Sequence, residues 1–163
     1  MTEATTPQPT SPRLPPRWFI RLAWVVHRAM YRLTGGRKGL WPPKPGKWGT
    51  MRLMTVGRKT GKERMAILGY YEDGPNLVTM AMNGWGEPEP AWWLNLQAQP
   101  DVTVGLPGDE LRAVRGRAAT GEERDRLWAR WSEFGNDDLD GYATRRPGET
   151  AIVVLEPRTA DAR

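Results

Sequence analysis

The chain has 163 residues, 39% hydrophobic and 26% charged, which bounds it to one domain with a core of ordinary size. With no Cys and a single His, it has no material for disulfides, thiol catalysis or a Cys- or His-rich metal site, and a Ser-His-Asp nucleophile is disfavoured. The net charge of +5 is uneven: residues 1–50 hold nine Lys/Arg against one acid and residues 51–163 hold fifteen against eighteen, which argues against nucleic acid as a partner and for a local basic arm.

Residues 1–16 carry five prolines among Thr and Ser and read as a disordered leader. From Arg17 the pattern changes. Phe19, Leu22, Ala23, Val26, Ala29, Met30 and Leu33 recur at helical spacing, and Arg17, Arg21, Arg28 and Arg32 fall opposite them. This predicts a basic amphipathic helix over 17–35, with Trp18 and Trp24 at its margins and Gly35-Gly36 as its stop. Such a helix either lies in an anionic membrane surface through residues 17–33 or packs on its own domain. His27 sits among its apolar residues and reads as packing. No apolar run reaches the roughly 18–20 residues of a membrane-spanning helix, and no signal-peptide pattern opens the chain. Residues 36–49, with Pro42-Pro43 and Pro45-Gly46, read as a stiff irregular linker.

The body is expected to span 50–157. Residues 50–56 and 65–71 read as strands, joined by Gly57-Arg58-Lys59-Thr60-Gly61-Lys62-Glu63-Arg64. This octapeptide holds four basic side chains and one hydroxyl between flexible glycines. Two readings stay open for it: a solubilising turn, or an anion cradle of guanidinium forks, ammonium charges and backbone N–H groups. It is not a Walker A loop, because the Gly-to-Gly-Lys spacing is one residue short and Glu63 replaces Ser/Thr.

After a turn at 72–75, residues 76–82 read as a third strand and residues 83–89 as a polar loop. Pro90 is placed at the first helical position of a short helix that carries Ala91, Trp92, Trp93, Asn95 and Leu96 and stops before Pro100. Asn95 on that apolar helix needs a hydrogen-bond partner. Val102, Val104 and Leu106 alternate in a fourth strand, and 110–118 form a fifth. Thr120 and Glu123 match a capping box for a helix with Leu127, Trp128, Trp131 and Phe134 on its apolar side, ended by Gly135. Residues 136–148 read as polar loop, 151–155 as a buried last strand and 158–163 as a tail. Six strands with short turns and a few helices predict an α+β domain with a mainly antiparallel sheet, which loses its edges on closing into a small barrel. A barrel–helix seam beside an anion loop suits a flat, phosphorylated cofactor.

The order of motifs supports more. Gly57-Arg58-Lys59-Thr60-Gly61 with Arg64 comes first, then Asp73-Gly74, then Pro90-Ala91-Trp92 with Asn95-Leu96 and Pro100. Ala119-Thr120-Gly121-Glu122-Glu123-Arg124 and Val153-Val154-Leu155-Glu156-Pro157 follow. Together they resemble the deazaflavin-dependent nitroreductase and quinone reductase family of actinobacteria. The resemblance implies a flavin-reductase-like split β-barrel with flanking helices. It implies an F420H2-dependent oxidoreductase that passes a hydride from reduced coenzyme F420 to a quinone, nitro compound or activated alkene. It further implies a cytoplasmic protein, some members of the family lying on the inner face of the membrane through the N-terminal helix.

Residue by residue, the resemblance places Arg58, Lys59, Thr60 and Arg64 at the anionic tail of the cofactor. It sets Met65, Ala66 and Ile67 along the deazaflavin ring, and Ala91, Trp92 and Asn95 on the helix that closes the pocket. Where family members often have Ser-Lys after the third strand, this chain has Met82-Asn83 beside the cofactor. Of three family tyrosines at the substrate, Tyr142 remains as the candidate proton donor, and Asn136 and Leu139 replace the others. Trp85, Glu87 and Glu89 give the entrance loop an acidic, Trp-bearing character. Hydride chemistry belongs to the cofactor, so the protein has to bind, orient and exclude water. The alternatives are a non-catalytic lipid or flat-ligand module on the same barrel, or a reductase holding FMN. The sequence leaves the oligomeric state open.

Overall fold

The computed structural model describes residues 39–86, 88–134 and 138–158, together with Leu22, Val25 and Val26. The predicted leader, nearly all of the predicted basic helix with His27, and residues 159–163 lie outside this set, as do Glu87, Gly135 and Asn136. Leu22, Val25 and Val26 are helical.

Strand β1 (Gly49–Val56) pairs antiparallel with β2 (Glu63–Asp73), and β2 turns at Gly74-Pro75 into β3 (Asn76–Met80). Helix α1 (Ala91–Ala98) leads to the hairpin of β4 (Asp101–Gly105) and β5 (Leu111–Ala118). Helices α2 (Gly121–Ser132) and α3 (Leu139–Ala143) follow, and β6 (Ile152–Pro157) ends the sheet. The strands close in the order β1-β2-β3-β6-β5-β4, with every pair antiparallel. This is the six-stranded barrel that the strand pattern predicts.

Strand alternation sorts the apolar residues into two cores. Met51, Leu53, Leu68, Tyr70, Leu77, Val104, Val114, Val153 and Leu155 fill the barrel. Trp93 and Leu96 of α1 join them. A Cβ on Gly116 would lie 2.5 Å from Leu96 Cδ2, so the absence of a side chain there is what lets α1 seat against β5. The second core lies outside the barrel. Tyr71, Val78, Met80, Ile152 and Val154 meet Leu127 there, with Trp128, Trp131, Phe134, Leu139 and Tyr142 packed around them. The apolar side predicted for α2 is the side that is buried. The Tyr71 hydroxyl donates to Leu127 O at 3.0 Å and ties β2 to α2. Burial is the first cause that raises the Tyr71 pKa, which keeps that proton in place.

Five local expectations need correction. The third strand stops at Met80 rather than Met82, because Asn83–Trp85 forms a left-handed 3-10 turn. Pro90 occupies the N-cap of α1 in an extended conformation, not the first helical position. Thr120 makes no side-chain cap; Glu123 instead grips Arg117 of β5 through Oε1 and Oε2, at 2.8 and 2.6 Å. The supposed irregular linker contains a small hairpin, with Lys44 and Lys47 exchanging backbone bonds around Pro45-Gly46 and Trp41 paired with Thr50. The polar loop after α2 contains α3, capped by the Asp138 carboxylate on Gly141 N.

Candidate active site

The connection between β1 and β2 spans residues 57–62, since Glu63 already pairs with Val56. Gly57 N donates to Lys62 O at 2.8 Å, and Gly61 N and Thr60 N fold back on Gly57 O at 2.8 and 3.0 Å. Gly61 takes φ +65, a left-handed conformation that glycine adopts without a Cβ penalty. A Cβ on Gly57 would lie 2.8 Å from Thr60 Oγ1, and that hydroxyl accepts from Lys62 N at 3.4 Å. Thr60 therefore braces the turn from inside.

Helix α1 locks this turn to the barrel. Asn95 is buried, and its Oδ1 accepts from the Arg58 backbone N at 3.2 Å and from Arg58 Nη1 at 3.4 Å. Its Nδ2 donates to Thr55 Oγ1 at 3.4 Å. The Asn that needed a partner on an apolar helix finds it on the neighbouring hairpin. Ala91 is exposed at the start of α1, while Trp92 is half-buried, packs against the barrel core and meets Trp93 edge-on at 6.2 Å.

Arg58, Lys59, Lys62 and Arg64 are all exposed, and no described carboxylate lies within 4.0 Å of them. Elsewhere the described arginines are largely spent on acids. Arg117 binds Glu123 and Glu156, Arg126 binds Asp73, Arg124 binds Glu149 and Arg146 binds Glu89. The hydrogen bond from Arg126 holds the Asp73 carboxyl below its ordinary range, and the bond from Arg117 does the same to Glu123.

Met65, Ala66 and Ile67 follow the hairpin on β2, opposite Met54, Leu53 and Arg52. On β2, strand β3 pairs only with Tyr71, Glu72 and Asp73. Among the described residues, the stretch from Glu63 to Leu68 therefore has a strand partner on one side only. The barrel is split here, and the backbone of Met65–Ile67 borders the opening. This donor set fits a cofactor with a polyanionic tail and a flat ring: open cations for the tail, a backbone edge for the ring and a helix beside both.

The remaining candidates gather on the outer core. Met82 is 38% exposed. Asn83, with φ 44, donates its amide to Pro88 O at 2.6 Å, so its side chain is committed within its own loop. Trp85, with φ 61, is nearly buried. Its ring stacks on Tyr142 at 5.6 Å and 18°, with Trp128 edge-on at 6.4 Å. Tyr142 is half-buried on α3, with the Arg145 guanidinium over its ring at 5.6 Å. The site residues thus fall into two groups. The hairpin, α1 and the open edge of β2 form one. Trp85 and Tyr142 form the other, joined to it by the segment through Met82 and Asn83. Arg146, and its pairing with Glu89 of the acidic loop, escaped sequence reasoning, because two ordinary surface-type residues 57 positions apart gave no signal of their contact.

A closed antiparallel barrel, split beside an anion-ready hairpin, defines a cofactor-binding barrel of the flavin-reductase type. Residues 24–157 match the family model of the F420H(2)-dependent quinone reductases. An F420H(2)-dependent quinone reductase of Mycobacterium tuberculosis H37Rv is 32% identical over 148 residues, which cover 87% of this chain and 97% of that protein. A solved F420-H2-dependent reductase, FDR-A, is 27% identical, covers 66% of this chain and 93% of its own, and superposes with a TM-score of 0.57. HutZ, a heme storage protein of Vibrio cholerae, shares the fold alone at 13% identity over 82% of this chain and 90% of its own, with a TM-score of 0.50. The chain belongs to the F420H(2)-dependent quinone reductase family. By class it is a deazaflavin-dependent reductase, and coenzyme F420 is the cofactor of its family.

Proposed function

We propose that this chain reduces a quinone at the split of the barrel, with the F420 tail on the 57–64 hairpin. The observation that carries this reading is the cluster of Arg58, Lys59, Lys62 and Arg64, exposed cations with no described carboxylate within 4.0 Å, on a turn braced by Thr60 and Asn95. Charge-assisted bonds from these groups hold phosphate and carboxylate oxygens. Bound there, reduced F420 supplies a hydride, and the quinone becomes a hydroquinone on taking a further proton. Met65, Ala66 and Ile67 on the open edge of β2 would border the ring, and Trp92 and Asn95, which hold α1 to the barrel and the hairpin, would help fix its orientation and exclude water. Tyr142 is the proposed proton donor to the acceptor. Met82, exposed shortly after β3, offers an apolar contact in place of a hydroxyl.

The quinone is proposed to be a membrane quinone, reached with the protein on the inner face of the cell membrane. Support comes from Leu22, Val25 and Val26, helical and 51%, 61% and 58% exposed, within a basic sequence segment. No helix among the described residues is long and apolar enough to cross a membrane. Flotation with anionic liposomes tests this point, and failure to float at low salt removes it.

The central test mixes the full chain with reduced F420 and menadione and follows cofactor absorbance. Turnover, with cofactor binding that weakens in Arg58→Ala and Lys59→Ala, is the expected result. Absence of both cofactor binding and oxidation above background overturns the reading.

A further inference from the structure

Arg146 is the one charged residue counted among the buried set of the described chain, at 7% exposed. Its guanidinium reaches three segments. Nη1 donates to Ala81 O at 2.6 Å and to Thr150 Oγ1 at 3.3 Å, and Nη2 donates to Glu89 Oε1 at 2.9 Å. Ala81 directly follows β3, and Glu89 directly precedes Pro90 at the cap of α1. Between them runs the left-handed turn Asn83–Trp85, with φ values of 44, 62 and 61. A bulky residue such as Trp85 rarely holds that conformation, so the surroundings must impose it. Arg146 also lies one helical turn beyond Tyr142, and its backbone N donates to Ala143 O at 3.1 Å.

The pair is a poor device for stability alone. Among the described residues, Arg146 Nε and Glu89 Oε2 are both buried atoms without a hydrogen-bond partner. An ion pair left partly unsatisfied recovers little of its desolvation cost, and apolar side chains of similar volume would hold such a seam at least as well. A clamp, by contrast, needs the directed bonds that a guanidinium makes to several carbonyl and carboxylate oxygens at once.

We infer that Arg146 is a positioning residue: its buried guanidinium, paired with the half-buried Glu89, clamps both ends of the Asn83–Trp85 turn against the segment that follows Tyr142, and so sets the stacked Trp85–Tyr142 wall that the electron acceptor meets. The inference rests on the proposed placement of the acceptor against Tyr142. Released from the clamp, the turn relaxes out of its left-handed conformation and the Trp85 ring leaves the stack. The hairpin at 57–64 keeps its separate anchor on Asn95, so cofactor binding is spared.

The test uses the full chain with Arg146→Gln, Arg146→Lys, Glu89→Gln, Trp85→Ala and Tyr142→Phe. Menadione and a quinone with an isoprenoid side chain serve as acceptors, and F420 affinity and near-ultraviolet circular dichroism are read alongside. Arg146→Gln is expected to raise acceptor KM about tenfold with a smaller change in kcat, and to shift the preference between the two quinones. It should also weaken the aromatic dichroism of the cofactor-free chain while leaving the F420 Kd within about twofold. Arg146→Lys restores part of the KM. The Arg146→Gln/Trp85→Ala double variant is no worse than Trp85→Ala, since both act through one ring. If Arg146→Gln does not fold, Glu89→Gln, which keeps an acceptor oxygen and loses only the charge, carries the same expectation. A folded Arg146→Gln or Glu89→Gln with unchanged acceptor KM, while Trp85→Ala moves it, overturns this inference alone. Unchanged KM in both Trp85→Ala and Tyr142→Phe overturns the acceptor placement and the inference with it.

Discussion

The cations of the 57–64 hairpin and those around α2 are the same residue types in opposite circumstances. Arg117 sits between Glu123 and Glu156, at 2.6 and 2.7 Å, and Arg126 forks onto both oxygens of Asp73 at 2.9 Å. Those arginines tie α2 to β5, β6 and the end of β2, and their charge is already answered. The hairpin cations face solvent with no described carboxylate within 4.0 Å. Clustering four like charges without counter-ions costs stability through repulsion, which is tolerable where an external anion supplies the missing charge. Charge count alone does not separate the two regions; the partner does.

That contrast can be broken from either side. The largest effect is expected at the hairpin. Arg58→Ala and Lys59→Ala should each weaken F420 binding by roughly 10- to 100-fold, the worth of one or two charge-assisted bonds. Melting temperature should hold, and the wild-type Kd should rise steeply with salt. Calorimetric or fluorescence titration at two ionic strengths checks this, and a salt-independent Kd would count against the cradle.

Next comes Asn95, the link between α1 and the hairpin. Asn95→Leu removes the acceptor for Arg58 N and is expected to cost about 1–3 kcal/mol of stability by denaturant titration. It should loosen F420 binding as well, because the turn loses its anchor. An effect on stability without one on binding would detach α1 from the site.

Arg117→Ala is the mirror experiment. Its partners are partly exposed, so about 1 kcal/mol of stability is at stake, and F420 affinity should not move.

The smallest effect is titration. Asp73 and Glu123 have folded pKa values below their unfolded ones, so their contribution is present above the unfolded value and lost as pH falls through the folded one. Melting temperature should stay level from pH 7 to about 5 and decline below about 4. Arg126→Gln should flatten part of that decline, because the first cause of the Asp73 shift is its hydrogen bond to Arg126.

Much of the barrel was legible in the chain. Val102, Val104 and Leu106 alternate because one face of β4 meets the core, and Leu127, Trp128, Trp131 and Phe134 repeat at helical spacing because one side of α2 is covered. Where local signals misled, a distant residue had intervened. Thr120 and Glu123 have the spacing of a capping box, but Arg117 on the adjacent strand offers the carboxylate a bidentate partner that a backbone N–H cannot match. Residues 76–82 look like one strand, yet Asn83 binds Pro88 O and Arg146 binds Ala81 O, and the chain leaves the sheet after Met80.

By itself, the sequence determined the strand and helix periodicities, the glycine-bracketed basic turn and the family to which the chain belongs, because these depend on residues close together or on motif order. Only the tertiary structure decided which cations are answered, which edge of β2 is open and which rings meet. Those outcomes depend on partners such as Asn95 and Arg58, Glu89 and Arg146, and Trp85 and Tyr142, which are 37 to 57 positions apart and are brought together by closure of the barrel. The basic turn is written in eight consecutive residues, whereas its anchor on Asn95, like the Arg146–Glu89 pair, exists only once the chain has folded.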